Sequence, residues 1–186
     1  MSPAGFASYL LHRARRLAGD QRGVSAVEFA LLLPLMITLY LGVVEISQGV
    51  SIDRKVTLTT RTIADLASQV SSINNADMTN ILNATASVIA PYDTTKLKVT
   101  VTAVTIDANS KATVAWSDTL NGTKRAVGST VTLPPALNVA NTTLIWSEVS
   151  YYYKPAIGYV ITGALDLSDQ IYMRPRLSTT VTRVNS

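Results

Sequence analysis

Gly23, Val24 and Glu28 form the arrangement in this chain whose residue types and spacing suggest chemistry on the chain itself. Gly23 stands at the edge of a long apolar run, and Glu28 lies five residues later, inside it. An ionised side chain in a membrane-embedded helix costs about 2.5–3.5 kcal/mol at the centre, and less near an end. A plain anchor does better with leucine there. Cleavage after Gly23 would expose the α-amino group of Val24, ordinarily a cation with a pKa of about 8. Glu28, fifth residue of the shortened chain, then has a partner in the amine of an adjacent subunit packed in staggered register. Pairing makes the buried charge far less costly and fixes axial register. The structural alternative is a glycine ending a juxtamembrane turn and a glutamate snorkelling toward the headgroups. The residues alone admit both.

Other chemistries are poorly supplied. His12 is the sole histidine and lies in a basic leader, and the chain has no cysteine. A Ser-His-Asp arrangement in the body and a multi-histidine or cysteine metal site are therefore excluded. Asp107-Ala108-Asn109 lacks the glycine and distal glutamate of a calcium loop and reads as a turn. Asp166 and Asp169 read as solvated loop carboxylates. No glycine-rich phosphate loop is present, so neither a metal, a cofactor nor a catalytic residue is expected, and a tethered enzyme is a remote reading.

The formal charge of +4 divides into +3 over residues 1–23, −2 over 24–50 and +3 over 51–186. Without a dense basic patch, nucleic acid is not an expected partner. Tyr151-Tyr152-Tyr153 reads as a strand that buries Tyr151 and Tyr153 and turns Tyr152 to the other face, or as an exposed contact patch. Arg174-Pro175-Arg176 reads as a solvated turn before a strand.

The elements that must position these residues begin with a span of about 20 residues, from Ala26 to Val44. Phe29, Leu31, Leu33, Leu35 and Leu39 supply its apolar surface, with Pro34 and Gly42 as weak points. The basic leader precedes it, so residues 1–23 stay cytoplasmic and the body crosses. The span exceeds a cleavable signal's apolar run and lacks its small-residue site. Ile52, Val56, Thr59, Ile63, Leu66, Val70 and Ile73 continue a stripe at spacings of four and three, predicting a helix from Val24 to Ile73 with one buried face. Arg61 and Asp65, four apart, are placed to pair along it. A second helix, capped by Asn75 or Asp77, carries Met78, Ile81, Leu82, Thr85, Val88 and Ile89 on one side and stops at Pro91.

Leu97 onward alternates as a strand, with a parity change at Ala103-Val104 that suggests a bulge. Ala112–Thr119 returns as a hairpin, and Asn121-Gly122 is a turn. One helical turn is expected after Pro134-Pro135. Leu144–Tyr153 and Leu177–Val184 are further strands, separated by a long loop over Lys154–Gln170 with a short helix at Leu165–Gln170. The sum is an α+β fold in which two helices cover one face of an antiparallel sheet of about four strands. Three segments result: a leader over 1–23, a membrane half-helix over 24–50, and a body over 51–186.

The string Arg22-Gly23-Val24-Ser25-Ala26-Val27-Glu28-Phe29-Ala30-Leu31-Leu32-Leu33-Pro34, with Gly42 and Glu45 beyond it, resembles TadE-like pseudopilins, and its first part resembles the processing site of type IV prepilins. The resemblance is dense over residues 22–49, within a motif region of 22–63, and thins after residue 49. It implies a type IV pilin-like fold and a minor pilin-like component of the Tad system, which assembles Flp pili for surface adherence. It further implies Gly23 and Val24 as the processing site and Glu28 as the register-setting carboxylate. The implied partners are a prepilin peptidase, other Tad pilins and pseudopilins, the inner-membrane assembly platform and the lipid bilayer. The implied location is the bacterial inner membrane, with the body periplasmic and a route into the surface pilus. The alternative role is an uncleaved, membrane-anchored adaptor of the same apparatus. Val24 departs from the phenylalanine common at this position in type IV pilins.

Overall fold

A run in which helix-favouring Leu and Ala alternate with Val and Ile becomes one uninterrupted α-helix, α1, over Arg22–Ser68 in the computed structural model, which describes residues 22–155, 158 and 162–184. The leader residues 1–21 lie outside the described residues, as does part of the loop after Pro155. The chain divides into two compact units between Val44 and Glu45.

In the unit from Glu45 onward, the stripe predicted for α1 is the core-facing side. Ile52, Val56, Thr59 and Ile63 are buried, and Thr60, Ala64 and Ala67 widen the face. The two buried threonines donate their hydroxyls to the carbonyls one turn back, Thr59 to Lys55 and Thr60 to Val56. That removes the cost of sealing a polar group away from water.

The helix ends at Ser68, short of the Ile73 expected. Ser72–Ile73 is instead a strand, β1, which pairs in parallel with β6, Thr182–Arg183. Thr182 N–H donates to Ser71 O at 3.1 Å, Val184 N–H to Ile73 O at 2.9 Å, and Arg176 N–H to Ser68 O at 2.9 Å. These donors satisfy carbonyls that another helical turn would have used, and Ile73 stays fully buried as the stripe required. Asp65 pairs with Arg176 and accepts from Gln69, rather than bonding Arg61 as the spacing suggested.

Helix α2 spans Asn75–Ile89 and is capped one residue earlier than expected. Asn74 Oδ1 accepts from Asp77 N–H at 2.8 Å, and Asp77 returns the bond to Asn74 N–H at 3.2 Å. This reciprocal capping box satisfies two orphan donors at the helix start. Met78, Ile81, Thr85 and Ile89 are buried. At the far end, Lys55 of α1 donates to Val88 O at 3.0 Å and Ala90 O at 2.5 Å, closing the exposed carbonyls of α2.

The main sheet has the order β3-β2-β4-β5, all antiparallel. Its strands are β2, Leu97–Ile106; β3, Ala112–Leu120; β4, Thr142–Tyr153; and β5, Leu165–Met173. Leu97, Val99, Val101, Ile145, Val149, Tyr151 and Tyr153 share one core with the helices, while Tyr152 is exposed on the opposite side. A bulge lies at Ala103-Val104, as the parity change on β2 suggested. Pairing with β4 is regular throughout, and the register shift lies against β3, where Ala115 is the extra residue. Val104 and Ile106 are buried because a second cluster, with Leu133 and Leu144, covers the other face at that end. The covering segment is the long connection after β3, which carries a single 3-10 turn over Pro135–Leu137.

The fourth strand also differs. Residues 165–170, expected as a short helix in a loop, belong to β5, and Leu177–Val184 contributes only β6, outside the main sheet. The alternation of Leu165, Leu167 and Ile171 matches the pleat, and β5 pairs along β4 from Tyr153↔Leu165 to Ile145↔Met173. A period of two suits a strand and not a helix.

Candidate membrane and assembly segment

The sequence before Glu45 puts Leu, Ile, Val and Phe on every side of α1, and the helix exposes most of them. Phe29, Leu31, Leu33, Leu35 and Leu39 are 39–75% exposed, and Val24, Val27, Met36, Ile37, Tyr40 and Val43 are exposed as well. A helix apolar all round needs an apolar surrounding, supplied by lipid or by other helices. It is long and apolar enough to cross a membrane.

Pro34 lies inside this stretch without ending the helix. Thr38 Oγ1 donates to the Pro34 carbonyl at 2.8 Å, a local side-chain bond of the kind that supports backbone near a proline. Gly42 lies in the same helix.

Gly23 occupies the first turn of α1, and no atom lies within 4 Å of the place a Cβ would take. Its lack of a side chain is therefore not demanded by packing within this chain. Glu28 is exposed on the helix. Val24 and Glu28 are four residues apart, which brings them onto the same face one turn from each other. The structure thus juxtaposes Val24 and Glu28, whereas an amine at Val24 exists only if the bond after Gly23 is cut.

Glu45 behaves differently from Glu28. It is 2% exposed, and the Tyr153 hydroxyl donates to its backbone carbonyl at 3.1 Å. Burial, then the neighbouring Glu45 and Tyr92, push the Tyr153 phenol above its usual range. Gly49 lies one turn on, where a Cβ would meet the Tyr153 ring at 3.5 Å. The predicted burial of Tyr153 thus serves to hold β4 against α1.

Sequence reasoning missed two ionic clusters of the body. Asp118 accepts from Lys124 at 2.7 Å and from Arg183 at 2.8 Å, which ties β3 to β6. Burial opposes its ionisation, but the two cationic hydrogen bonds outweigh that and hold the Asp118 carboxyl below the usual carboxylate range. Arg125 makes a two-pronged pair with Glu148 and lies 3.8 Å from the centre of the Trp146 ring, which stacks on Tyr172 at 5.3 Å. No spacing signals either cluster, because the partners meet only through the sheet register. Among the described residues, no three histidine, aspartate or glutamate side chains gather as a metal site.

Residues 23–65 match the family described as TadE-like protein. The matched segment takes in Gly23, Val24, Glu28 and the apolar helix, and ends on the core-facing part of α1. Together the match and the exposed apolar helix mark a membrane-anchored, Tad pilus-related component. No match to the chain occurs among curated proteins or among solved structures.

Proposed function

We propose that this TadE-like chain is a minor pilin, a pseudopilin, of the Tad/Flp pilus system, without catalytic activity of its own. A prepilin peptidase cuts after Gly23, freeing Val24 as the new N-terminus. The processed protein waits in the bacterial inner membrane and then takes part in pilus assembly and surface adherence with other Tad pilins and the inner-membrane platform. The basic residues of the leader favour a cytoplasmic N-terminus and a periplasmic body.

The observation that supports this reading best is the composition of α1. One helix carries an apolar, largely exposed stretch that nonetheless keeps Glu28 one turn from Val24, and its later turns pack into the core of an α+β body. Subunits packed head-to-tail through such helices form an open, heterologous series, the geometry of a filament. In that packing Glu28 meets the Val24 amine of a neighbour, so each step along the fibre is set by one ion pair in an apolar medium. Removing one member leaves a charge unpaired, and that is strongly unfavourable.

The test is Glu28→Ala in the native host, with processing followed by N-terminal sequencing. The expected result is normal cleavage with loss of assembled pili and of surface attachment. Normal pili and attachment from the processed variant would contradict the register role. An uncut wild-type protein in the functional pool would assign it instead as a permanent adaptor.

A further inference from the structure

The face of the main sheet turned away from the helices carries a trough lined mostly by polar residues. One cavity of about 450 Å³ is lined by Lys98, Thr100, Lys124, Arg125, Ser150 and Ser168, among others. A second, also about 450 Å³, is lined by Lys96, Lys98, Ser150, Tyr152 and Asp166. Lys98 and Ser150 line both, so the two cavities adjoin along the outer surface of β2, β4 and β5.

One end of the trough is built from side chains that are already held in place. There Arg125 is fixed by Glu148, by the Trp146 ring and by a 3.3 Å bond to Thr102 Oγ1. Its backbone N–H is also held by Ser117 Oγ at 3.2 Å. The wall above is set by Asn121, whose side-chain amide donates to Thr94 O at 3.1 Å and Leu97 O at 3.0 Å. Gly122 completes that wall, and a Cβ there would stand 2.5 Å from Thr119 Oγ1. The groups at that end therefore lose little ordering entropy on binding.

Charge decides what fits. Arg125 is neutralised by Glu148, Lys124 shares Asp118 with Arg183, Lys96 has Asp93 as an electrostatic neighbour, and Lys98 has no ion pair among the described residues. Asp166 is the one trough carboxylate outside those pairs. Two lysines attract carboxylates spaced along a chain, and Asp166 with the serine and threonine hydroxyls can bond to hydroxyl groups. Tyr152 is 49% exposed and offers an aromatic face to a ring's C–H surface. The trough has no deep apolar pocket of the kind that anchors a protein hot spot. We infer that the outer face of the β2-β4-β5 sheet binds an acidic polysaccharide through a trough centred on Lys98, Ser150 and Tyr152. This site does not depend on cleavage at Gly23.

The test uses the full chain in detergent micelles and calorimetric titration with three probes: a polyguluronate hexasaccharide, neutral cellohexaose and hexaglutamate. The uronate oligomer is expected to bind in a salt-weakened manner, at least about tenfold more tightly than either of the others. The Lys96→Ala/Lys98→Ala double variant, both positions being on the surface, should lose about tenfold or more of that affinity. Lys111→Ala, at the β2–β3 turn outside the trough, should leave it unchanged. Absence of uronate binding at millimolar concentration, undiminished binding by the double variant, or equal binding of hexaglutamate would each overturn the assignment.

Discussion

Replacing Ile63 by alanine asks whether the later turns of α1 are part of the body's core rather than a stalk attached to it. Ile63 is 1% exposed and belongs to the cluster that includes Val99, Val101 and Val149. The substitution removes three carbons, at about 0.8 kcal/mol each for transfer from water. The neighbours in a sheet-backed core collapse only partly into the gap, which raises the cost to about 3–4 kcal/mol. For a body of about 140 residues, the unfolding entropy of about 2.1 cal/mol/K per residue converts this to a melting-temperature drop of roughly 10–14 °C. The matched control is Leu39→Ala. Leu39 is 61% exposed in the apolar stretch, so its loss should change body stability by less than about 0.5 kcal/mol. Both tryptophans, Trp116 and Trp146, lie in strands of the body. Selectively excited tryptophan fluorescence of the full chain in micelles therefore reports the body alone. A drop below about 3 °C for Ile63→Ala, or an equal drop for Leu39→Ala, refutes the reasoning.

Three smaller effects follow from the same structure. Asp118→Asn should cost roughly 2 kcal/mol at neutral pH, because it breaks a largely buried carboxylate held by two cations. Because the folded carboxyl is more acidic than the unfolded one, this contribution is present above the ordinary Asp value of about 3.9 and is lost as pH falls through the lower, folded value. Acid unfolding curves of wild type and variant should therefore converge below about pH 4, and a constant gap at all pH values would contradict the assignment. Tyr153→Phe removes the bond to the Glu45 carbonyl and should destabilise by about 1 kcal/mol, measured as a shift in denaturant midpoint at constant slope. Asn74→Ala breaks the capping box and should cost about 1 kcal/mol, with faster amide exchange confined to the first turn of α2; unchanged exchange there would remove the capping argument.

The parts of the fold legible in the sequence were those written in local periodicity. The stripe from Ile52 to Ile63 identified the buried face of α1, and the alternation from Leu97 to Val101 identified a strand facing the helices. The end of α1 was not legible, because Val70 and Ile73 continue the stripe while the backbone leaves the helix to meet Thr182 and Arg183. That pairing partner is more than a hundred residues away in the chain. β5 was missed for a related reason: Asp166, Ser168 and Asp169 dilute its alternation, and only the open edge of β4 makes it a strand. The bulge at Ala103-Val104 was legible from the parity change on β2, whereas the second apolar cluster that buries Val104 and Ile106 depends on where Leu133 and Leu144 come to rest. At the candidate site, Gly23, Val24 and Glu28 stood out through residue type and spacing. The Arg125–Glu148 and Asp118 clusters had no such signal, since register alone unites them.

The central claim is that Gly23 is a cut site and Val24 the working N-terminus. N-terminal sequencing of the protein extracted from native membranes and from sheared pili tests it most directly. The account predicts a chain beginning Val-Ser-Ala-Val-Glu in the functional pool. A functional pool that retains the residues before Val24 would contradict it.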